Sequence, residues 1–360
     1  MTHNTSSHNK TVQKHLPALS THLVFFILMW VFFAGYYGDI LYIAQQYSFF
    51  TTDLQVMETV WNHSYAILWM IGRALLLLCY YPWLGGGLLA LMLTLISWLF
   101  GYAFKLQRSK SYISFAPAFI FTFVLIYKGF DIYYQAETGA VFGIPFCMLF
   151  ILVCQAILVR SFSKKNMPGL FECPHDKKIE YNWHTNITTV ICLAIIIGFN
   201  EWQRPYVRPT AKMQIALERQ DWKHMQLIAE QSDMKYSTIA AYFAIARMED
   251  SNDIPQVPFN ALPQPTATIY LHDRNGNIDT GRNYVLTDYC IASGQYEMAF
   301  TLAQANLKQD GPSAYLLKKL VQAGIPLGKT TACTEYLRLL GLLPFEGAFV
   351  AKYSALLNNR

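Results

Sequence analysis

Charged residues are scarce in this chain. Only 14% of its 360 residues are Asp, Glu, Lys or Arg, while 53% are hydrophobic. Because soluble domains carry about a quarter charged residues, this composition excludes an ordinary soluble protein and indicates a membrane protein. The net charge of +5 is small, and the basic residues are spread over several loops. That distribution argues against nucleic acid as a partner.

Paired cysteines and complete metal motifs are also lacking. The seven cysteines form no Cys-x-x-Cys pair, and four lie in apolar stretches, where cysteine acts as a small hydrophobic residue. Cys173, His175 and His184 are metal-ligating types, but their spacing fits no closed zinc site. The alternating Asp and Asn residues of 273–279 lack the glycine and glutamate of a calcium loop. We predict no disulfide framework, no metal and no cofactor.

Long apolar stretches are absent from the last 150 residues, whereas the preceding part of the chain contains six. Each is near the ~20 residues that a helix needs to cross the hydrocarbon core, and only helices satisfy their backbone there. The stretches are 19–43, 64–82, 84–104, 113–127, 139–159 and 186–202. The sequence therefore predicts an all-α fold, in which a polar tail (1–18) precedes a six-span helical membrane bundle (19–204) and a soluble domain (205–360).

The orientation of six spans depends on a small difference in basic residues. Six crossings put both termini on one side, where six Lys or Arg lie near the membrane, against eight on the other side. The positive-inside rule then favours an extracytoplasmic C-terminal domain. The eight are residues 105, 108, 110, 160, 164, 165, 177 and 178; the six are Lys10, Lys14, Lys128, Arg204, Arg208 and Lys212.

The soluble domain has the periodicity of short helices. Apolar residues recur at spacings of three and four in 212–220, 222–231 and 237–248. A proline-rich segment with turn signals interrupts this pattern at 253–281. Helical periodicity resumes at Tyr284 and continues to the end of the chain.

Residues 288–303, with the sequence DYCIASGQYEMAFTLA, resemble a tetratricopeptide unit. Gly294 would lie at the turn between two helices, with Tyr296 after it and the small residues Ala299 and Ala303 on one face. Weaker copies surround Trp222 and occupy 320–337. These residues predict a helical-repeat domain that binds a protein or peptide. The alternative is an irregular helical bundle without a repeat.

Two polar features of the membrane half are candidates for chemistry. Arg73 lies near the middle of the second apolar stretch, and such an arginine usually faces the bundle interior and pairs. Asp53 lies in the first loop, where an acidic group could serve as a base or metal ligand, or could simply be solvated. For Arg73 the alternative is a structural ion pair.

The chain resembles an uncharacterised bacterial family of multi-pass membrane proteins with a tetratricopeptide-like tail. The resemblance rests on residues 47–53, the Pro-Trp-Leu-Gly turn at 82–85, residues 211–231 and the closing segment 335–340. It implies a bacterial inner-membrane location and supplies no catalytic residues. The acidic first loop also gives a loose likeness to glycosyltransferases that use lipid-linked sugars.

Three functions follow from these features. The leading hypothesis is an integral membrane protein of unknown activity, a scaffold whose helical-repeat tail binds a partner near the lipid bilayer. The alternative is a glycosyltransferase-like envelope enzyme, with Asp53 and Arg73 as its candidate catalytic residues. A small transporter is a third possibility, which would require Arg73 to line a polar path.

Overall fold

The computed structural model describes residues 21–53, 56–58, 65–104, 106, 108–127, 138–166, 183–233, 237–251 and 281–358. None of these residues lies in a strand, and the described elements are helices, which confirms the all-α prediction. They are α1 (Thr21–Tyr36), α2 (Gly38–Gln46), α3 (Ala66–Tyr80), α4 (Pro82–Ala103), α5 (Ala116–Tyr127), α6 (Ala140–Asn166), α7 (Trp183–Gln203), α8 (Val207–Glu218), α9 (Trp222–Glu230), α10 (Ser237–Ser251), α11 (Gly281–Ala292), α12 (Tyr296–Asp310), α13 (Ala314–Gly324), α14 (Thr330–Leu340) and α15 (Gly347–Asn358).

The lengths of these helices support only part of the six-span prediction. In the described part of the chain, α4 and the 140–158 section of α6 are long and apolar enough to cross a membrane. A third span results if α1 and α2 count as one bent helix. The second and fourth predicted spans correspond to shorter apolar helices, at Ala66–Tyr80 and Tyr112–Ile126. Hydropathy located these apolar segments, and the six-span bundle itself stays a prediction.

The first predicted span is broken rather than continuous. Its last residues, Phe32–Tyr36, are π-helical, and α1 and α2 meet at an angle of 63°. The amide of Tyr37 donates to the carbonyl of Phe32, five residues back, which is the hydrogen bond of a π-helix. Such an inserted turn is a recognised cause of a sharp bend. As a result, α2 leaves the direction of α1 and packs against α8.

Glycines bring several N-terminal helices into close contact. Gly72 of α3 faces Gly139 and Gly143 at the start of α6, and a Cβ atom on Gly72 would collide with the carbonyl oxygen of Gly139. A Cβ atom on Gly86 of α4 would come within 2.8 Å of the backbone nitrogen of Ala34 in α1. Small residues at matching positions allow this approach, which strengthens van der Waals packing between helices.

Exposed apolar side chains are concentrated in the N-terminal helices. Of the large hydrophobic residues that the structure describes as exposed, all but four precede residue 203. The four are Leu227, Met298, Leu342 and Leu356. The surfaces of α1 and α3–α7 are therefore apolar, and those of α8–α15 are mainly polar.

Helices α8–α15 form an array in which each described helix packs against the next. The Asp221 side chain caps α9 by accepting a hydrogen bond from the amide of His224 at 3.1 Å, as expected for an N-cap. Helix α8 begins at Val207, earlier than predicted, because Pro209 occupies its first turn, where no amide hydrogen is needed. The predicted insertion at 253–281 lies almost entirely outside the described residues.

The array packs directly on the N-terminal helices. Tyr47, just after α2, lies between the rings of Tyr284 and Tyr315, at centroid distances of 5.2 and 4.8 Å. Phe49 and Met57 join a second core with residues of α13 and α14. The apolar core therefore continues across the predicted domain boundary at 204/205, and that boundary itself stays a prediction.

Candidate functional site

A cavity of about 1190 Å³ lies where the N-terminal helices meet the array. We call it the junction cavity. One side is formed by α2 and the turn between α3 and α4, with Tyr42, Tyr81 and Pro82. The opposite side is formed by the array, including Trp222 and Tyr296. Neither part of the chain alone encloses this space.

Lys318 forms the centre of the first polar cluster in the cavity wall. Its ammonium lies 2.9 Å from Glu346 Oε2 and 3.6 Å from Glu218 Oε1, and it donates to Gln46 Oε1 at 2.7 Å. The Tyr42 hydroxyl also donates to Glu218, at 2.9 Å. This Lys318 cluster connects α2 with α8, α13 and the start of α15.

Asp288 forms the centre of a second cluster, which is more deeply buried. Asp288 is 3% exposed, and its Oδ1 lies 2.7 Å from the ammonium of Lys319, itself 8% exposed. The hydroxyls of Tyr315 and Tyr242 donate to Oδ2, at 2.5 and 3.1 Å. Charge-assisted bonds of this kind are about twice as strong as neutral ones, and they offset the desolvation of the carboxylate.

The Asp288 cluster reaches the N-terminal helices through Gln214. The amide nitrogen of Gln214 donates to the hydroxyls of Tyr242 and Tyr47, both at 3.0 Å. A continuous polar chain thus runs from Lys319 through Asp288, Tyr242 and Gln214 to Tyr47. It couples the array to the residue that follows α2.

Burial keeps Tyr47 and Tyr315 neutral. It raises the pKa of Tyr47 and Tyr315 well above the usual range, and the negative charge of Asp288 adds to the shift. For Lys318, burial lowers the pKa, but Glu218 and Glu346 together outweigh this effect and the net shift is upward. The lysine therefore stays charged and the tyrosines stay hydrogen-bond donors, an arrangement suited to holding position.

Aromatic rings supply another part of the surface of the junction cavity. The rings of Phe349 and Tyr353 stack at 4.2 Å, and both line the space together with Tyr296 and Trp222. Tyr81, on the opposite side, is 48% exposed. Apolar rings beside a few fixed polar groups are typical of a binding pocket.

The predicted repeat residues lie in different surroundings. Trp222 and Tyr296 line the junction cavity, whereas Ala299 and Ala303 are fully buried in a core that includes Phe300, Leu320 and Ala323. Gly294 lies in the turn between α11 and α12 with a φ of +74°, a conformation that favours glycine.

The two catalytic candidates lie in different surroundings. Asp53 is half-buried, its amide donates to the Thr51 hydroxyl at 3.3 Å, and its charge acts on Arg338 in α14. Arg73 is 6% exposed in α3, immediately after the glycine that packs against α6. In the described part of the chain, no three His, Cys, Asp or Glu side chains come together as a potential metal site. Cys173 and His175 lie outside that part.

Sequence reasoning missed the residues at the centre of both clusters. Lys318 and Lys319 lie in an otherwise apolar helix, Ala-Tyr-Leu-Leu-Lys-Lys-Leu-Val, and buried lysines almost always require a partner. That context was a signal for buried ion pairs. Asp288 belonged to the repeat-like segment, and nothing local distinguished it from a surface residue.

These features define a helical protein with an apolar N-terminal part, an array of short helices and a cavity between them. Residues 14–174 match the model of a family of unknown function, DUF6057. The match covers the N-terminal helices as far as α6 and stops before α7 and the array. No curated protein and no solved structure matches the chain.

Proposed function

We propose that this chain is an integral membrane protein whose helical array binds a partner segment in the junction cavity, next to the bilayer. The observation that carries the proposal is the cavity, because it is built jointly by the apolar helices and the array. A ligand in that space would contact both parts of the molecule at once. The protein would thereby act as a scaffold.

The membrane location is supported by the distribution of exposed apolar side chains. Monomeric soluble proteins rarely expose apolar patches larger than a few hundred Å², yet α4 and α6 expose rows of such residues along their length. Examples are Leu91, Leu95 and Trp98 in α4 and Phe150, Ile157 and Leu158 in α6. A lipid bilayer is the partner that fits an apolar surface shared by several helices.

Partner binding is supported by the architecture of the array and the chemistry of the cavity. Arrays of tetratricopeptide-like hairpins use concave surfaces to bind proteins or peptides. The cavity combines aromatic rings with charged groups of both signs, such as Lys352 and Glu249. Aromatic side chains are enriched at the buried centres of protein interfaces. A peptide segment with mixed apolar and charged side chains is the ligand class that fits best.

Site-specific photocrosslinking in intact cells tests this proposal. A photoreactive residue would replace Tyr296, which lines the cavity, or Met298, which is exposed on the same helix but lies outside the cavity. We expect a discrete protein adduct from position 296 and little from 298, and Trp222→Ala should weaken the adduct. Equal adducts at both positions, or none at 296, would contradict the proposal.

The glycosyltransferase-like alternative predicts a different result. Asp53→Asn should abolish envelope glycan transfer if Asp53 acts as a base or metal ligand. Under the scaffold proposal the same substitution leaves both glycan transfer and the adduct at position 296 unchanged, because Asp53 does not line the cavity.

A further inference from the structure

The bundle of N-terminal helices has two ends that contacts identify. At the end next to the array, the Tyr36 hydroxyl donates to Glu201 at 2.8 Å and Gly38 packs on Pro82. At the opposite end, the rings of Phe25 and Phe115 lie 4.6 Å apart. We call these the array end and the far end.

Five helices connect one end to the other. Helices α1, α5 and α7 run toward the array end, and α4 and α6 run away from it, as the contacts at their termini indicate. Helix α6 has 27 residues, or about 40 Å at 1.5 Å per residue. Helix α5 is shorter: together with the 3₁₀ residues before it, its apolar part Tyr112–Ile126 reaches roughly 25 Å, a length that a locally thinner bilayer accommodates.

Helix α3 does not connect the two ends. Trp69 and Met70, in its first turn, pack against the core formed with α13 and α14. At its other end, the Tyr80 ring stacks on Phe345 of the array at 4.1 Å. Its contacts with α4 are concentrated in the last turn, Leu77–Tyr80. Both termini of α3 therefore lie at the array end, which is incompatible with a membrane crossing.

The first loop gives the same result independently. With six crossings, the residues between the first two spans would lie on the side of the membrane opposite the array. Phe49 and Met57 are instead buried against Leu317 and Leu340 of the array, and the charge of Asp53 acts on Arg338. The loop and the array must share one side.

We infer that the chain crosses the membrane five times, through α1, α4, α5, α6 and α7, and that the array and the junction cavity face the extracytoplasmic side. This inference rests on the proposed membrane location. It places the N-terminus opposite the array, and α3 becomes a buried helix at the array end. The cavity would then receive a peptide segment from outside the cytoplasm.

The orientation follows from the basic residues that flank the helix ends. With five crossings, Lys10 and Lys14 lie at the far end instead of the array end. The count of Lys and Arg near the membrane then changes from eight against six to ten at the far end against four at the array end. Residues 37–65, whose described part lies at the array end, include no Lys or Arg. Basic residues accumulate in the short loops on the cytoplasmic side of a membrane. The far end, which has ten of the fourteen basic residues, is therefore cytoplasmic.

Cysteine labelling with a membrane-impermeant maleimide tests this topology in intact cells. Three variants are needed in a background where the seven native cysteines are replaced by serine or alanine: Ser7→Cys, Glu58→Cys and Asn358→Cys. We expect the Glu58→Cys and Asn358→Cys chains to react without permeabilisation. The Ser7→Cys chain should react only after permeabilisation. Each variant must remain in membranes after an alkaline wash and react fully once solubilised.

Each departure from this pattern overturns a particular part of the inference. If Ser7→Cys and Asn358→Cys behave alike, the number of crossings is even. If Glu58→Cys and Asn358→Cys behave oppositely, α3 crosses the membrane. If all three accessibilities are reversed, the orientation is wrong. Release of the chain by the alkaline wash would instead refute the proposed membrane location, and the crosslink at position 296 tests partner binding separately.

Discussion

The ion pair between Asp288 and Lys319 is the buried charge interaction with the clearest energetic consequence. Removing one member leaves the other charge buried without compensation, which typically costs 3–5 kcal/mol. We expect Lys319→Met to lower the free energy of unfolding in detergent by about that amount. Chemical denaturation followed by tryptophan fluorescence would measure the change.

Lys352→Met is the matched control for this substitution, because Lys352 is exposed on the same cavity and exposed charges contribute little. The double variant Asp288→Asn/Lys319→Met should lose less stability than the sum of the single losses. A loss in the Lys352→Met chain as large as that in Lys319→Met would show that the effect is not specific to the buried pair.

The buried tyrosines predict a loss of stability at high pH. Burial and the charge of Asp288 raise the pKa of Tyr47 and Tyr315 in the folded chain, while the unfolded value is about 10. The unfolded state therefore loses protons first, and stability falls as the pH rises above about 10. The pKa of Lys318 is also raised in the folded chain, so its deprotonation lowers the stability in the same direction as the pH rises.

Tyr315→Phe should weaken this pH dependence, because the substitution removes one of the groups that ionise more easily in the unfolded state. Unfolding measured from pH 8 to pH 11 would test it, with Tyr296→Phe as the control outside the network. An unchanged slope in the Tyr315→Phe chain would contradict the assignment.

The close approach of α3 to α6 depends on the absence of a Cβ atom at Gly72. A Cβ atom at Gly72 would collide with backbone of Gly139 and Gly143, whereas a Cβ atom at Gly198 in α7 would meet nothing within 4 Å. Overpacking costs about 1–3 kcal/mol. We therefore expect Gly72→Ala to lower the thermal stability of the detergent-solubilised protein and Gly198→Ala to leave it nearly unchanged. Equal effects would mean that this contact is not tight.

Helix positions could be predicted from the sequence, but helix paths could not. The periodicity after residue 209 gave the positions of α9 and α10 within a few residues, since amphipathic spacing is a local property. An apolar run of moderate length describes either a membrane span or a helix buried within protein. For α3 and the broken α1–α2 pair, the deciding contacts come from glycines and from residues of the distant array.

The contact of the N-terminal helices with the array predicts that the two parts stabilise each other. Tyr47 is fully buried between array tyrosines, and truncating such an aromatic residue costs about 3–5 kcal/mol. We expect Tyr47→Ala to make the array markedly more sensitive to protease in membrane preparations. Tyr102→Ala, at an exposed position of α4, serves as the control. If both chains are cleaved at the same rate, the parts do not stabilise each other.

The candidate site was less predictable than the fold because its residues come from the whole length of the chain. The sequence predicts Trp222 and Tyr296 as packing residues of a repeat, and the structure places both on the cavity wall. Their neighbours Tyr42 and Tyr81 lie more than a hundred residues away. No local pattern could have brought these segments together, since the contacts depend on the bend after Tyr36 and on the stacking of the array.

The docking of α2 on the array also determines when the protein can complete its folding. Gln46 and Lys318, which bond to each other, are 272 residues apart. At a synthesis rate of 5–20 residues per second, roughly 14 to 54 s separate their emergence from the ribosome. During that interval Tyr47 and Phe49 have no array to cover them. The apolar rings of this segment therefore stay uncovered by the array until its helices have been synthesised.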